Sequence, residues 1–255
     1  SNTMHIKTRY YILTAVLSYL FFMISSLPAS KLVSLAEDNK LTTAKIYGAY
    51  GSLWNGGADQ INIPNQSPIT DIQWSLNPAS LLLAKISSDI SGTLKNQKFV
   101  GNISMNAFGT VEATGLRARI SSHVMQELIK MPLGELGGVF NINIESIILN
   151  DSPIPNVTGN LKWNSAKLTI AETVDLGHIS IAVKPNTANQ LTATITNSKG
   201  QLSLDGTASV DAKKLYTLNL RITPEQNASS DITQSLSMFS RRQTDGSYLI
   251  KRKGN

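Results

Sequence analysis

The chain has no cysteine and only three histidines, and just 16 % of its 255 residues are charged. The first absence excludes a disulfide framework, thiolate catalysis and cysteine-ligated metal, and it fits a reducing cytoplasm or a bacterial periplasm equally. The second leaves little for metal chemistry. His5, His123 and His178 each stand without a second ligand two or four residues away, so no metal site is read. No Gly-x-Ser-x-Gly elbow, phosphate loop or dinucleotide glycine pattern occurs. Adjacent acids such as Glu37-Asp38 lie on polar stretches and read as solvated surface, not as a hydrolytic pair. The chain is therefore not read as an enzyme, and no cofactor is expected.

Aromatic residues make up 6 % of the chain, and the net charge of +6 is unevenly placed. Lys7 and Arg9 stand near the start; Arg241, Arg242, Lys251, Arg252 and Lys253 crowd the end. The middle is close to balance. A nucleic-acid groove needs an internal basic stripe interleaved with aromatics, so no nucleic-acid partner is expected and residues 241–255 read as a basic tail.

What is present begins with one uncharged run. Met4 reads as the natural start, and Ser1-Asn2-Thr3 are left out of the fold reading. After a cytoplasmic flank at residues 1–9, residues 10–27 form the expected transmembrane signal-anchor helix. Its apolar surface comes from Tyr10, Ile12, Leu13, Val16, Leu17, Leu20, Phe21, Phe22, Ile24 and Leu27. Its length is at the short end of what crosses a bilayer. Positive charge on the N-terminal flank places that flank in the cytoplasm and sends the rest across the membrane. The competing reading is a cleaved signal peptide, against which Leu27 occupies the position three before a bond that follows Ala29.

Pro28 ends that helix, and residues 28–43 are a mixed connector with a short helix around Leu32, Leu35 and Ala36. From residue 44 to 255 the period changes to two, as expected of one β domain of antiparallel strands with a buried and a wet face. Leu82, Ala84, Ile86, Ile90 and Leu94 predict one such face. Phe99, Gly101, Ile103, Met105 and Ala107 predict a second, and Leu116, Ala118 and Ile120 a third. Phe140, Ile142, Ile144 and Ile148 predict a fourth, opened by Gly137-Gly138 and closed by Pro153 and Pro155. Ser121 to Leu133 predicts a short amphipathic helix on Val124, Leu128 and Met131, capped by Ser121 or Ser122 and ended by Pro132 and Gly134. Ile232, Leu236 and Phe239 predict another, before a turn at Asp245-Gly246 and a strand at Tyr248-Ile250.

One phrase occurs twice. Gly51-Ser-Leu-Trp54-Asn-Gly-Gly-Ala58 is restated as Gly159-Asn-Leu-Lys-Trp163-Asn-Ser-Ala166. Ile72 to Pro78 then parallels Ile179 to Pro185, and Leu116 to Ile120 parallels Leu218 to Ile222. Order and spacing predict a degenerate duplication of about residues 44–120 and 157–223, separated by a helix-containing insert at 121–156. Gly51, Trp54, Ala58, Gly159, Trp163 and Ala166 are its structural marks. The tryptophans read as core residues and not as a sugar platform, because their neighbours are aliphatic.

Taken together, the basic flank, the spanning helix, the Gly51 to Ala58 phrase, Ile72 to Pro78 followed by leucines, the Gly159 restatement and the strand at Tyr248 resemble type II secretion system protein N, also called general secretion pathway protein N. The resemblance covers nearly the full length. It departs in Lys162, inserted before Trp163, and in the polar connector. It implies an inner-membrane accessory or assembly component whose partners are other secretion-system envelope components, acting by periplasmic protein–protein docking, with no catalytic residues. A second reading stays open beside it: a twisted, curled antiparallel sheet whose apolar face is an open groove for lipid, in place of a sealed core.

Overall fold

The two-residue period becomes strand pairing in the computed structural model, which describes residues 2–130 and 134–255. The chain is mainly β and divides into two compact units, residues 1–95 and 96–255. In the first unit, α1 (Asn2–Ser26) and α2 (Ala29–Asp38) precede β1 (Lys45–Tyr47), β2 (Tyr50–Gly51), β3 (Asn55–Asn62), β4 (Ile69–Leu76) and β5 (Lys85–Leu94). The order across this sheet is β1-β3-β4-β5, with β2 paired on β3, all antiparallel. On β4 the expected alternation holds, since Ile72, Trp74 and Leu76 are half-buried between exposed Asp71, Gln73 and Ser75.

The second unit contains β6 (Gln97–Asn106), β7 (Val111–Ser121), α3 (Ser122–Leu128), β8 (Glu135–Leu149), β9 (Asn156–Thr169), β10 (Thr173–Pro185), β11 (Leu191–Ser198), β12 (Leu202–Val210), β13 (Tyr216–Pro224), α4 (Ser230–Phe239) and β14 (Tyr248–Gly254). These strands pair antiparallel in sequence order from β6 to β14. Both helices start from a serine whose hydroxyl accepts a backbone N–H, Ser121 from Val124 and Ser229 from Ile232. Each helix then buries the residue that donated, Val124 in α3 and Ile232 in α4. Met131, expected on the apolar face of the first helix, and Pro132, expected to end it, lie outside the described residues.

Two expected faces differ from the structure. Residues Pro78–Leu83 form a 3₁₀ helix and not the start of a strand, because Pro78 sits at its first turn, where no N–H is needed, and the Asn77 side chain accepts from Ala79 N–H. Ala84 then turns the chain with a left-handed φ of 54°, and β5 begins at Lys85. Where β6 pairs with β7 the register shifts between Val100 and Asn102, the extra residue lying on β7, which runs from Arg117 to Thr114 past Gly115 at φ +57°. Phe99 and Gly101 stay half-buried, whereas Ile103 and Met105 become exposed. The extra residue switches the facing of the β7 side chains beyond it, with Ile103 opposite Ala113 and Met105 opposite Val111. A second shift between Ile144 and Ser146 breaks the period of β8, separating Ile148 from Phe140, Ile142 and Ile144.

The buried hydrophobic side chains of the second unit fall into two clusters. One joins Ala166, Leu176, Ile179, Leu202, Ile222, Ile232 and Tyr248; the other joins Ile120, Val124 and Phe140. Trp163 packs against both. The element order itself repeats: β3-β4-β5-β6-β7-α3-β8 is followed by β9-β10-β11-β12-β13-α4-β14. In this order α3 and β8 hold the places that α4 and β14 hold in the second series.

Candidate membrane anchor and docking edge

α1 is apolar without a buried side. Among the described residues one helix is long and apolar enough to cross a membrane, Thr8–Ser26, and none of that segment is buried in protein. Tyr10, Ile12, Leu13, Val16, Leu17, Leu20, Phe21, Phe22 and Ile24 are all exposed on it. Leu27, the last expected anchor residue, lies one position past the helix and is half-buried. The helix ends where Pro28 withdraws an N–H, and Ser25 and Ser26 donate their hydroxyls to the carbonyls of Phe22 and Met23.

The end of α1 is tied to the first copy of the repeated phrase. Phe21 and Trp54 meet with ring centroids 5.6 Å apart, and Pro28 bridges to Ser52. The Ser52 carbonyl also accepts the Trp74 indole N–H at 3.1 Å. Gly51 makes the turn into this knot with φ +79°, where a side chain would collide with Gly56 Cα.

In the second copy the same words take another local form. Gly159, Trp163 and Ala166 all lie inside β9, flanked by β8 and β10, whereas Trp54 precedes β3 in a bend. Trp163 lies directly opposite Phe140 and Ile179 and donates its indole N–H to the Gly137 carbonyl at 2.7 Å. The ends of the two phrases match in packing: Ala58 is 1 % exposed and Ala166 0 %. In both halves the strand leaving the phrase pairs with the strand of the second phrase, β3 with β4 and β9 with β10.

β14 carries the second feature. Its inner side pairs with β13 from Tyr248 to Gly254, and on the other side Tyr248 bridges to Arg242. Beyond Tyr248, no other strand among the described residues pairs with β14. Lys251, Arg252 and Lys253 are exposed along it. The turn before it is held by Asp245, which accepts from the Ser247 hydroxyl and backbone N–H and from Arg221 at 2.8 Å. Those bonds from Ser247, aided by the Arg221 charge, hold the Asp245 carboxyl below its ordinary value.

Nothing among the described residues assembles a catalytic or metal constellation. His123 contacts Glu127 one helical turn away at 3.2 Å on an exposed surface, and His178 Nδ1 accepts the Ser165 N–H. No group of three or more histidine, aspartate or glutamate side chains is placed to hold a metal among the described residues. The β14 edge and the Phe21–Trp54 contact are what sequence reasoning missed. The basic run at 251–253 was visible, but read as a tail and not as a strand.

The family model described as type II secretion system (T2SS), protein N, matches residues 43–251. No curated protein and no solved structure matches the chain.

Proposed function

The chain belongs to the type II secretion system protein N family, and from that premise we propose that it is a single-pass inner-membrane component whose β portion faces the periplasm and docks other secretion components. The exposed surface of α1 supports the anchor. A dozen large apolar side chains are involved, at about 1.5–3 kcal/mol each for leaving water, so lipid is the environment that suits this helix.

The docking role rests on one observation, the open side of β14. Its counterpart in the element order is β8, and β8 pairs with β9 from Glu135 to Ile148 on the side facing away from β7. The chain thus contains its own precedent for a strand seated at this position. Three exposed basic residues on β14 discourage indiscriminate strand pairing and favour an acidic extended segment. The anchor raises the local concentration of this edge near membrane partners.

The test is removal of the chain from secreting cells and its restoration, with crosslinking. Loss of secretion without it and recovery of secretion components from the restored protein are expected. Normal secretion without it, together with no secretion component crosslinked, would overturn the reading.

A further inference from the structure

The turn between β4 and β5 is inside out. Residues 72–84 carry no charge. In the 3₁₀ helix Pro78–Leu83 the one polar residue points inward and the leucines outward, since Ser80 is 4 % exposed while Leu82 is 89 % and Leu83 74 % exposed. Leu81 and Ile86 are exposed beside them.

This geometry is built and not frayed. Asn77 accepts Ala79 N–H on its side-chain oxygen, the Ser80 hydroxyl donates to Asn77 O at 2.6 Å, and Ser87 N–H donates back to the Ser80 hydroxyl. Asn77 N–H further bonds the Ser87 carbonyl at 2.8 Å, closing the base of the loop. A polar frame therefore holds leucines in water, where their solvation is unfavourable unless something apolar covers them.

The covering surface is indicated by what the turn is joined to. Leu76 N–H, two residues before Pro78, bonds the Trp54 carbonyl at 2.7 Å, and the Trp54 ring rests on Phe21 of α1. Phe21 lies five residues before the end of α1, roughly 7.5 Å of helix from its exit. That depth belongs to the membrane interface, the level at which tryptophan concentrates.

We propose that the Pro78–Leu83 turn is a second membrane contact, seating Leu82 and Leu83 in the outer leaflet of the bilayer that α1 crosses. Lys85, exposed just past the turn, is placed to meet lipid phosphate while its stem follows the apolar surface. Such a contact fixes the roll of the β3–β4–β5 sheet about α1, which a single helix cannot do. The inference rests on the anchor reading of α1.

Because the chain has no cysteine, single-cysteine labelling is free of background. Full-length Leu82→Cys, Leu83→Cys and Phe22→Cys variants, each carrying an environment-sensitive fluorophore, are reconstituted into phosphatidylethanolamine–phosphatidylglycerol vesicles. Quenching by shallow nitroxide lipid is compared with quenching by aqueous iodide. The expected result is lipid quenching with iodide protection at all three sites. Lipid quenching at Phe22 with only iodide quenching at Leu82 and Leu83 overturns the proposal and leaves the anchor intact. Iodide quenching at Phe22 overturns the anchor itself, and the proposal with it.

Discussion

Phe140 and Trp163 stack across neighbouring strands with ring centroids 4.8 Å apart and planes 16° from parallel. Trp163 touches both buried clusters of the second unit, so this pair joins the α3 side of the sheet to the α4 side. Replacing Trp163 with alanine removes the ring contacts and leaves the Gly137 carbonyl without its donor. The expected loss is about 3 kcal/mol, at the low end for such truncations because the ring is half-buried. Trp163→Phe keeps most of the stacking and is expected to lose about 1 kcal/mol. Denaturant unfolding of the full chain in detergent measures both, and equal stability of Trp163→Ala and the unaltered chain would contradict the role.

The two buried alanines give a second test. Ala58 and Ala166 are shut off from solvent, and leucine at either position is expected to cost about 1–3 kcal/mol by overpacking. Lys167→Leu, one residue along β9 on the exposed side, is expected to change little. Thermal unfolding of the three variants separates the positions; a tolerated Ala166→Leu would show that the phrase does not mark a packed join.

Asp245 supplies a pH-dependent prediction. Its carboxyl is held below the ordinary 3.8 by the Ser247 hydroxyl and backbone N–H, with Arg221 adding to the effect. A depressed folded value means that the stabilisation is complete above the unfolded value and is lost as pH falls through the folded one. The turn before β14 is thus expected to stay closed at neutral pH and loosen only under acid below about 3.8. Carboxyl NMR titration should place Asp245 below 3.8 and move it upward in Ser247→Ala; an unchanged midpoint would remove the hydroxyl as the cause.

Membrane orientation follows from charge at the first helix. Lys7→Glu with Arg9→Glu is expected to reduce correct insertion, since positive residues near a spanning helix keep their flank in the cytoplasm. Protease accessibility of the β portion in spheroplasts reads the outcome. Unchanged orientation would show that other features set the topology.

Much of this fold was legible because alternation is a local property. Leu116, Ala118 and Ile120 lie inward of Arg117 and Arg119 on β7 as the sequence pattern predicts, and Ser121 caps α3 through its own hydroxyl. Alternation fails where one residue is inserted into a strand. The shift opposite Val100 places one extra residue on β7, beside Gly115 at φ +57°, while Ile103 and Met105 are exposed on β6. Leu82, Ala84 and Ile86 imitate a strand face, yet Pro78 and the Asn77 cap make a 3₁₀ turn of the segment. Repeated words also do not ensure repeated conformation. Gly159 is held in a strand by partners on both sides, while Gly51 turns at φ +79°, and only the structure brings Trp54 to Phe21.

The most direct measurement is site-specific photocrosslinking in secreting cells, with the reactive side chain placed at Lys251 or Lys253 on β14 and, for comparison, at Lys162 on β9, which is paired on both sides. The account predicts adducts to a secretion component from β14, absent at Lys162 and lost when the two basic residues left among Lys251, Arg252 and Lys253 are changed to glutamate. No adduct to a secretion component from β14 in cells that secrete normally, or adducts that survive the charge reversal, would contradict it.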